Sequence, residues 1–173
     1  MNPGGQTTKS NVSYDDLRIR IRTGTIEDAD RFNEIERACF PSKLRYGPSI
    51  LVNLVSMVSN YTVLTVQLVK NSKIIAFAVG EQDDDDKTLG RIITIQVDPP
   101  YQGRQIGSKL LVELEKKLIS EYKVEKFELQ VHYKNEKAIG FYQKKHTYEI
   151  RKRIRNYYER GEHAFLMVKT ISK

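Results

Sequence analysis

Apolar residues along the chain follow two periods, and the switches between them mark its elements. Leu17 to Thr23 (LRIRIRT) places an apolar residue at every second position, as a strand with one buried face requires. Ala29, Phe32, Ile35 and Ala38/Cys39 then recur at helical spacing behind Thr25-x-x-Asp28, a capping pattern, and Phe40-Pro41 ends that helix. After the loop Pro41 to Gly47, Pro48 suits a first helical turn, and Ile50, Leu51, Leu54, Val55 and Val58 predict a short second helix. Tyr61 to Val69 and Lys73 to Gln82 are β-rich runs joined through Asn71-Ser72, which predicts an antiparallel hairpin. Leu89 to Val97 (LGRIITIQV) is a further strand, and Ile106, Leu110, Leu111, Leu114 and Leu118 form one helical stripe. Phe127 to Tyr133 alternates again, with Phe127, Leu129, Val131 and Tyr133 on one face and Glu128, Gln130 and His132 on the other. Asn135 caps a helix carrying Ala138, Ile139, Phe141 and Tyr142. Tyr148 to Tyr157 and His163 to Ile171 close the chain as two strands around a Glu-Arg-Gly-Glu turn. The order β-α-α-β-β-β-α-β-α-β-β predicts an α/β (α+β) fold, a mixed sheet covered by helices.

Composition narrows the class. With 173 residues, 39% of them hydrophobic, the chain suffices for one domain, expected over 15–173, behind a flexible arm of Gly, Ser, Thr and Asn at 1–14. No run of about 18 apolar residues occurs, and MNPGGQTTKSNVSYDD lacks a signal-peptide core, so a cytoplasmic protein with no membrane partner is expected. Cys39 is the only cysteine, which excludes an intrachain disulfide and a cysteine-based metal cluster. It reads as a small packing residue, with a catalytic thiol as the alternative. The net charge of +7 is spread among abundant acids, and only Arg151 to Arg155 (RKRIR) is a dense cluster, with the alternation of a solvent-facing strand. Such charge points to an anionic cofactor or a ribosomal environment, not to sequence-specific nucleic-acid reading. Asp83 to Asp86 (DDDD) reads as a solvated hairpin tip and not as a metal site, because successive side chains diverge.

Chemistry concentrates in Ile93 to Leu111, ITIQVDPPYQGRQIGSKLL: strand, double-proline turn, glycine-containing loop, amphipathic helix. Gly103 and Gly107 let backbone approach a ligand, and the free N–H groups of the helix start suit a pyrophosphate without a metal. With VDPPYQGRQIGSKLL after one strand and NEKAIGFYQKK after the next, the chain resembles the acetyl-CoA-binding core of the GCN5-related N-acetyltransferases (GNAT). ERACFPS at Glu36 to Ser42 and RNYYERGEHAFLMVK at Arg155 to Lys169 resemble the RimI/Ard branch, which acetylates protein N-terminal α-amino groups.

That resemblance implies a mostly antiparallel seven-stranded sheet with about four helices, splayed where acetyl-CoA binds. It implies acetyl-CoA as cosubstrate, no metal, and a protein or peptide N-terminus as partner, ribosomal or nascent, with the enzyme a monomer or homodimer. The phosphate loop Q/R-x-x-G-x-G/A reads here Gln102-Gly103-Arg104-Gln105-Ile106-Gly107, so Gln105 stands in place of the first glycine. Backbone from Gln102 to Ser108 would hold the pyrophosphate, with added charge from Arg104. Ile95, Gln96 and Val97 would offer backbone to the pantetheine arm and a donor for the oxyanion, and Asn135 would lie beside the cofactor. Tyr142 matches the family's general acid. Gln130 stands where the branch has a glutamate base and cannot accept a proton, which leaves His132, through a water, or Glu81. Phe40, Pro41 and Tyr46 on one side and Tyr157 and Tyr158 on the other match the two walls of the peptide groove. A lysine or small-amine acetyltransferase, and a non-catalytic acetyl-CoA-binding module, remain the alternative readings.

Overall fold

The structure is a computed structural model and describes residues 17–45, 47–56 and 61–171; the 1–14 arm and Tyr46 lie outside the described residues. One seven-stranded sheet runs through it in the order β1-β2-β3-β4-β5-β7-β6. The strands are β1 (Ile19–Thr23), β2 (Tyr61–Leu68), β3 (Ile74–Gln82), β4 (Leu89–Val97), β5 (Lys126–His132), β6 (Glu149–Glu159) and β7 (Glu162–Thr170). Only β4 and β5 pair in parallel; every other neighbour is antiparallel.

Helices cover both faces. On one side, α1 (Ala29–Cys39) and α2 (Pro48–Ser56) bury Phe32, Ile35, Leu51 and Val55 against Val63, Phe77 and Val79. The rings of Phe32 and Phe77 stack with centroids 4.4 Å apart. On the other, α3 (Ile106–Tyr122) sinks Leu110, Leu111, Leu114 and Leu118 into the sheet, and α4 (Glu136–His146) packs beside it through Ala138, Ile139 and Tyr142. With helices on both sides, β2 and β3 are buried on both faces, which is why they read as continuous apolar runs instead of alternating ones.

Two departures from regular pairing shape the middle of the sheet. β4 and β5 pair only from Leu89↔Lys126 to Arg91↔Glu128 and then part. In the same strand the register with β3 shifts between Val79↔Thr94 and Gly80↔Ile92, so Ile93 is an extra residue, a β-bulge. The bulge reverses which face each parity serves. Ile92 packs into the α3 side, whereas Thr94 and Gln96 sit on the α1 side, where Gln96 Nε2 donates to the buried Glu36 carboxylate. Ile95 and Val97 thereby turn toward α3 and α4, beside the opened split.

The acidic run departs from a solvated tip. Asp83 is 4% exposed; it accepts from the N–H groups of Asp85 and Asp86 and pairs with Arg91, while Asp86 pairs with Lys126 at 2.6 Å. Asp84 and Asp85 alone are solvent-exposed. A tight turn needs acceptors for its own N–H groups, and the first aspartate supplies one.

Candidate active site

A cavity of about 620 Å³ opens where β4 leaves β5. Its walls are the end of β4 (Ile95, Gln96, Val97), the loop and first turn of α3 (Gln102, Gly103, Gln105 to Ser108), and α4 with its cap. Of the cofactor residues expected from sequence, all but Arg104 line it; Arg104 is half-buried at its margin.

The α3 start is the anion-facing part. The first intrahelical bond of the turn is Lys109 N–H to the Gln105 carbonyl, 3.0 Å, so the N–H groups of Ile106, Gly107 and Ser108 lack helical acceptors. Gln105 holds φ +59° and ψ 7°, and Gly103 φ +77°. Thus the residue in the glycine's place adopts the left-handed conformation itself, with its side chain exposed. Lys137, Lys144 and Lys145 of α4 add positive charge to the wall. Sequence reading passed over these three because the i, i+7, i+8 face of a short helix looks like any solvated one. A long anionic ligand with an extended arm fits this donor set and shape.

At the end of β4 the backbone is aimed by side chains. Asp98 N–H donates to the Ile75 carbonyl at 2.9 Å, and the trans peptide therefore turns the Val97 carbonyl to the opposite, opened edge. There it accepts from Gln102 Nε2 at 2.9 Å and from Cys39 Sγ at 3.3 Å. Lys137 Nζ donates to Gln102 Oε1 at 2.6 Å and fixes the amide's orientation. Val97 N–H shares that edge with its own carbonyl, so it points into the split. Cys39 is thus part of the wall and not a mere packing residue. Burial, with the Glu36 and Asp98 carboxylates, pushes its thiol up to about 11, which makes it a poor nucleophile at neutral pH.

Tyr142 lines the cavity at 7% exposure, edge-on to Phe141 and Tyr148 at 5.0 and 5.5 Å. Burial, reinforced by Tyr158 and Glu115, raises its pKa far above the usual tyrosine value, so the hydroxyl stays protonated. Asn135 accepts from Ala138 N–H at 3.1 Å as the α4 cap while lining the cavity.

The base candidates sit on the α1 side of the split. His132 Nδ1 accepts from Lys134 N–H at 3.3 Å, so Nε2 carries the proton and donates to Glu162 at 2.6 Å. Both ring nitrogens are engaged, and His132 offers no free lone pair to an amine. Glu81 lies in a cluster with Tyr61 and Arg91; burial raises its pKa, with Asp84 and Asp83 adding to the effect and Arg91 opposing it. It does not line the cavity.

Alternation would keep Tyr157 and Tyr158 on opposite faces, and here the structure overrides it. Between Ile154↔Ala164 and Glu159↔Glu162 the β6–β7 register slips, and Asn156 takes φ +53°. The resulting bulge brings both rings over β5: Tyr157 Oη donates to Gln130 Oε1 at 3.4 Å, and the Tyr158 ring lies 5.4 Å from His132. Across the split, Phe40 lines the cavity and Pro41 is exposed.

The family model for the acetyltransferase (GNAT) family matches residues 29–148, which spans the cavity and both its helices. The chain belongs to the GNAT family. An uncharacterized N-acetyltransferase of Methanocaldococcus jannaschii is 31% identical over 150 residues, 86% of this chain and 90% of the relative. An N-alpha-acetyltransferase of Sulfolobus acidocaldarius is 28% identical over 163 residues, 87% and 92% of the two chains. The ribosomal-protein-S18-alanine N-acetyltransferase of Escherichia coli superposes with a TM-score of 0.74 at 25% identity, covering 90% and 96%. This GNAT protein is therefore an acetyltransferase, and the splayed sheet is the GNAT fold.

Proposed function

We propose that this GNAT enzyme transfers acetyl from acetyl-CoA to the N-terminal α-amino group of a protein or peptide, by direct attack in a ternary complex. The observation that carries the reading is the β6–β7 bulge, which sets Tyr157 against Gln130 and Tyr158 beside His132, across the split from Phe40. Adjacent rings with hydroxyls make a wall that grips an extended chain end and bonds its backbone, while the amine enters the split. The Sulfolobus relative's name and the S18-alanine activity of the E. coli structure support the same amine class.

Acetyl-CoA supplies the acetyl group as a thioester. The first-turn N–H groups of α3, with Lys137, Lys144 and Lys145, hold its phosphates; Ile95 and Val97 offer strand edges to its arm. Val97 N–H, aimed by Gln102 and Cys39, stabilises the carbonyl oxygen as it gains charge. Tyr142, held protonated by its burial, donates to the departing sulfur. Among the described residues no strong base lines the cavity, since Gln130 is an amide, His132 is engaged and Glu81 lies outside it, so the proton that the attacking nitrogen sheds leaves to water. An α-amine with pKa near ~8 is already about a tenth neutral at pH 7, whereas lysine near ~10.4 is neutral about 0.04% of the time. A site without a strong base therefore favours α-amines.

A pool of peptides with internal lysines, half with free and half with blocked N-termini, tests this by mass spectrometry. Acetyl appears on the free α-amines alone. Labelling of lysines in blocked peptides would replace the reading with a lysine acetyltransferase, and acetyl-CoA binding without turnover would replace it with a binding module.

A further inference from the structure

The densest positive charge of the chain lies away from the cofactor cavity. β6 is the last strand of the sheet, so among the described residues one of its edges has no neighbour. Arg151, Lys152, Arg153 and Arg155 on it are all exposed, and none pairs with a carboxylate among the described residues. Arg153 stands over the Tyr133 ring at 4.8 Å, which stiffens it. The nearest acids are Glu149 at one end of the strand and Glu159 and Glu162 at the other, and Glu162 is held by His132 and Lys134. The field is uncompensated enough that His163, already lowered by partial burial, is lowered further by Arg153 and Arg155.

The edge is a poor template for another strand. Register shifts between Ile150 and Lys152 and between Ile154 and Glu159 leave no unbroken run longer than Lys152 to Ile154, too short a ladder for an added peptide. A second copy pairing across this edge would set the same cations against one another. What the surface presents is four exposed cations within five residues of an edge strand, a linear run of positive charge that suits the phosphates of an extended single strand. Three of the four are arginines, whose planar fork matches phosphate. No helix projects from β6 to enter a duplex groove.

We propose that the β6 edge is a sequence-independent docking surface for the phosphate backbone of single-stranded RNA, which would hold the enzyme near RNA-bound substrates. Fluorescence anisotropy of the full chain with labelled oligouridylate, across a salt series, tests it. Four phosphate contacts give a log–log salt slope near about −3, an affinity loss of about fifty-fold between 50 and 200 mM salt. Changing Arg151, Lys152, Arg153 and Arg155 together to Gln removes most of that slope and weakens binding more than tenfold, while acetyl transfer to a free peptide is unchanged. The lysine variant, Arg151→Lys with Arg153→Lys and Arg155→Lys, keeps the slope and covers the case in which the glutamine variant does not fold. The proposal is overturned if the parent does not bind RNA at low salt, if neutralising the strand leaves binding intact, or if duplex DNA or polyglutamate binds equally well.

Discussion

Replacing Gln105 by glycine stabilises the protein, although it deletes a side chain and adds nothing. Gln105 is a non-glycine residue at φ +59°, where an L side chain costs about 1–2 kcal/mol because Cβ crowds the following carbonyl. Its side chain is exposed and makes no bond to a described residue, so its removal forfeits no contact. Glycine escapes the strain but gains freedom in the unfolded chain, which returns about 0.4–1 kcal/mol. The balance is about 0.5–1 kcal/mol in favour of Gln105→Gly, or roughly 1–4 °C in Tm for a chain of this size. Melting is followed by calorimetry without ligand, because ligand binding would itself raise Tm. Gln105→Ala keeps the strain and gives no gain. Gly103→Ala is the mirror experiment: at φ +77° its new methyl meets nothing within 4 Å, so its whole cost, about 1 kcal/mol, is conformational. A Gln105→Gly protein melting at or below the parent, or an alanine variant gaining as much, would refute the strain argument. The loop backbone is the same in both chains, so acetyl-CoA affinity changes by less than about threefold.

Other outcomes follow from the same geometry. Tyr142→Phe lowers kcat by about a hundredfold or more with little change in the KM for acetyl-CoA, measured by steady-state kinetics, because the proposed proton donor is removed while the buried cavity wall is kept. Gln130→Glu raises α-amine turnover by no more than about tenfold at pH 7, since about a tenth of the amine is already neutral; a several-hundredfold gain would mean that deprotonation limits the parent. Gly90→Ala places a methyl 2.7 Å from Phe127 Cε1 and costs about 1–3 kcal/mol in urea unfolding. His146, bonded to Ser108 Oγ at 3.0 Å, is lowered by burial, so the unfolded chain takes up its proton first. Stability from this group is present above about pH 6.5 and is lost as pH falls through the folded value; His146→Gln flattens that part of the urea-midpoint profile.

The elements were legible because their signals are local. Alternation in Phe127 to His132 and the leucine stripe from Ile106 to Leu118 are set by the residues themselves, and the structure places them as the pattern requires, while Tyr133 falls just past the strand with its ring 5.1 Å from that of His132. The resemblance carried the cavity wall from Gln102 to Ser108, Arg104 excepted, in the same way. What escaped was decided between segments. Ile93 bulges in an ordinary run, Ile-Ile-Thr, and only its pairing with β3 makes it extra. Asp83 looked solvated because its partner Arg91 lies on the next strand. The tyrosine pair was assigned by resemblance, and only the β6–β7 slip, invisible in the sequence, brings both rings over β5.

The site is built where the sheet fails to pair, and such places persist only if the freed backbone groups find other partners. At the end of β4, the Val97 carbonyl loses a neighbouring strand and is taken up by Gln102 and Cys39. In the β6–β7 bulge, Asn156 N–H donates to His163 Nδ1, and the Asn156 amide accepts from Gly161 N–H at 2.8 Å. Asparagine tolerates the positive φ that this turn demands. The same side chains that satisfy the broken ladders thus fix where the Val97 N–H and the two tyrosines point. Gln102→Leu separates these roles: it leaves the loop backbone in place but removes the amide bond to the Val97 carbonyl, leaving it the weaker Cys39 thiol. Its expected signature is a fall in kcat of about tenfold or more from a mis-aimed oxyanion donor, with the KM for acetyl-CoA nearly unchanged. A rise in that KM with kcat preserved would assign Gln102 to holding the cofactor and detach it from the carbonyl it bonds.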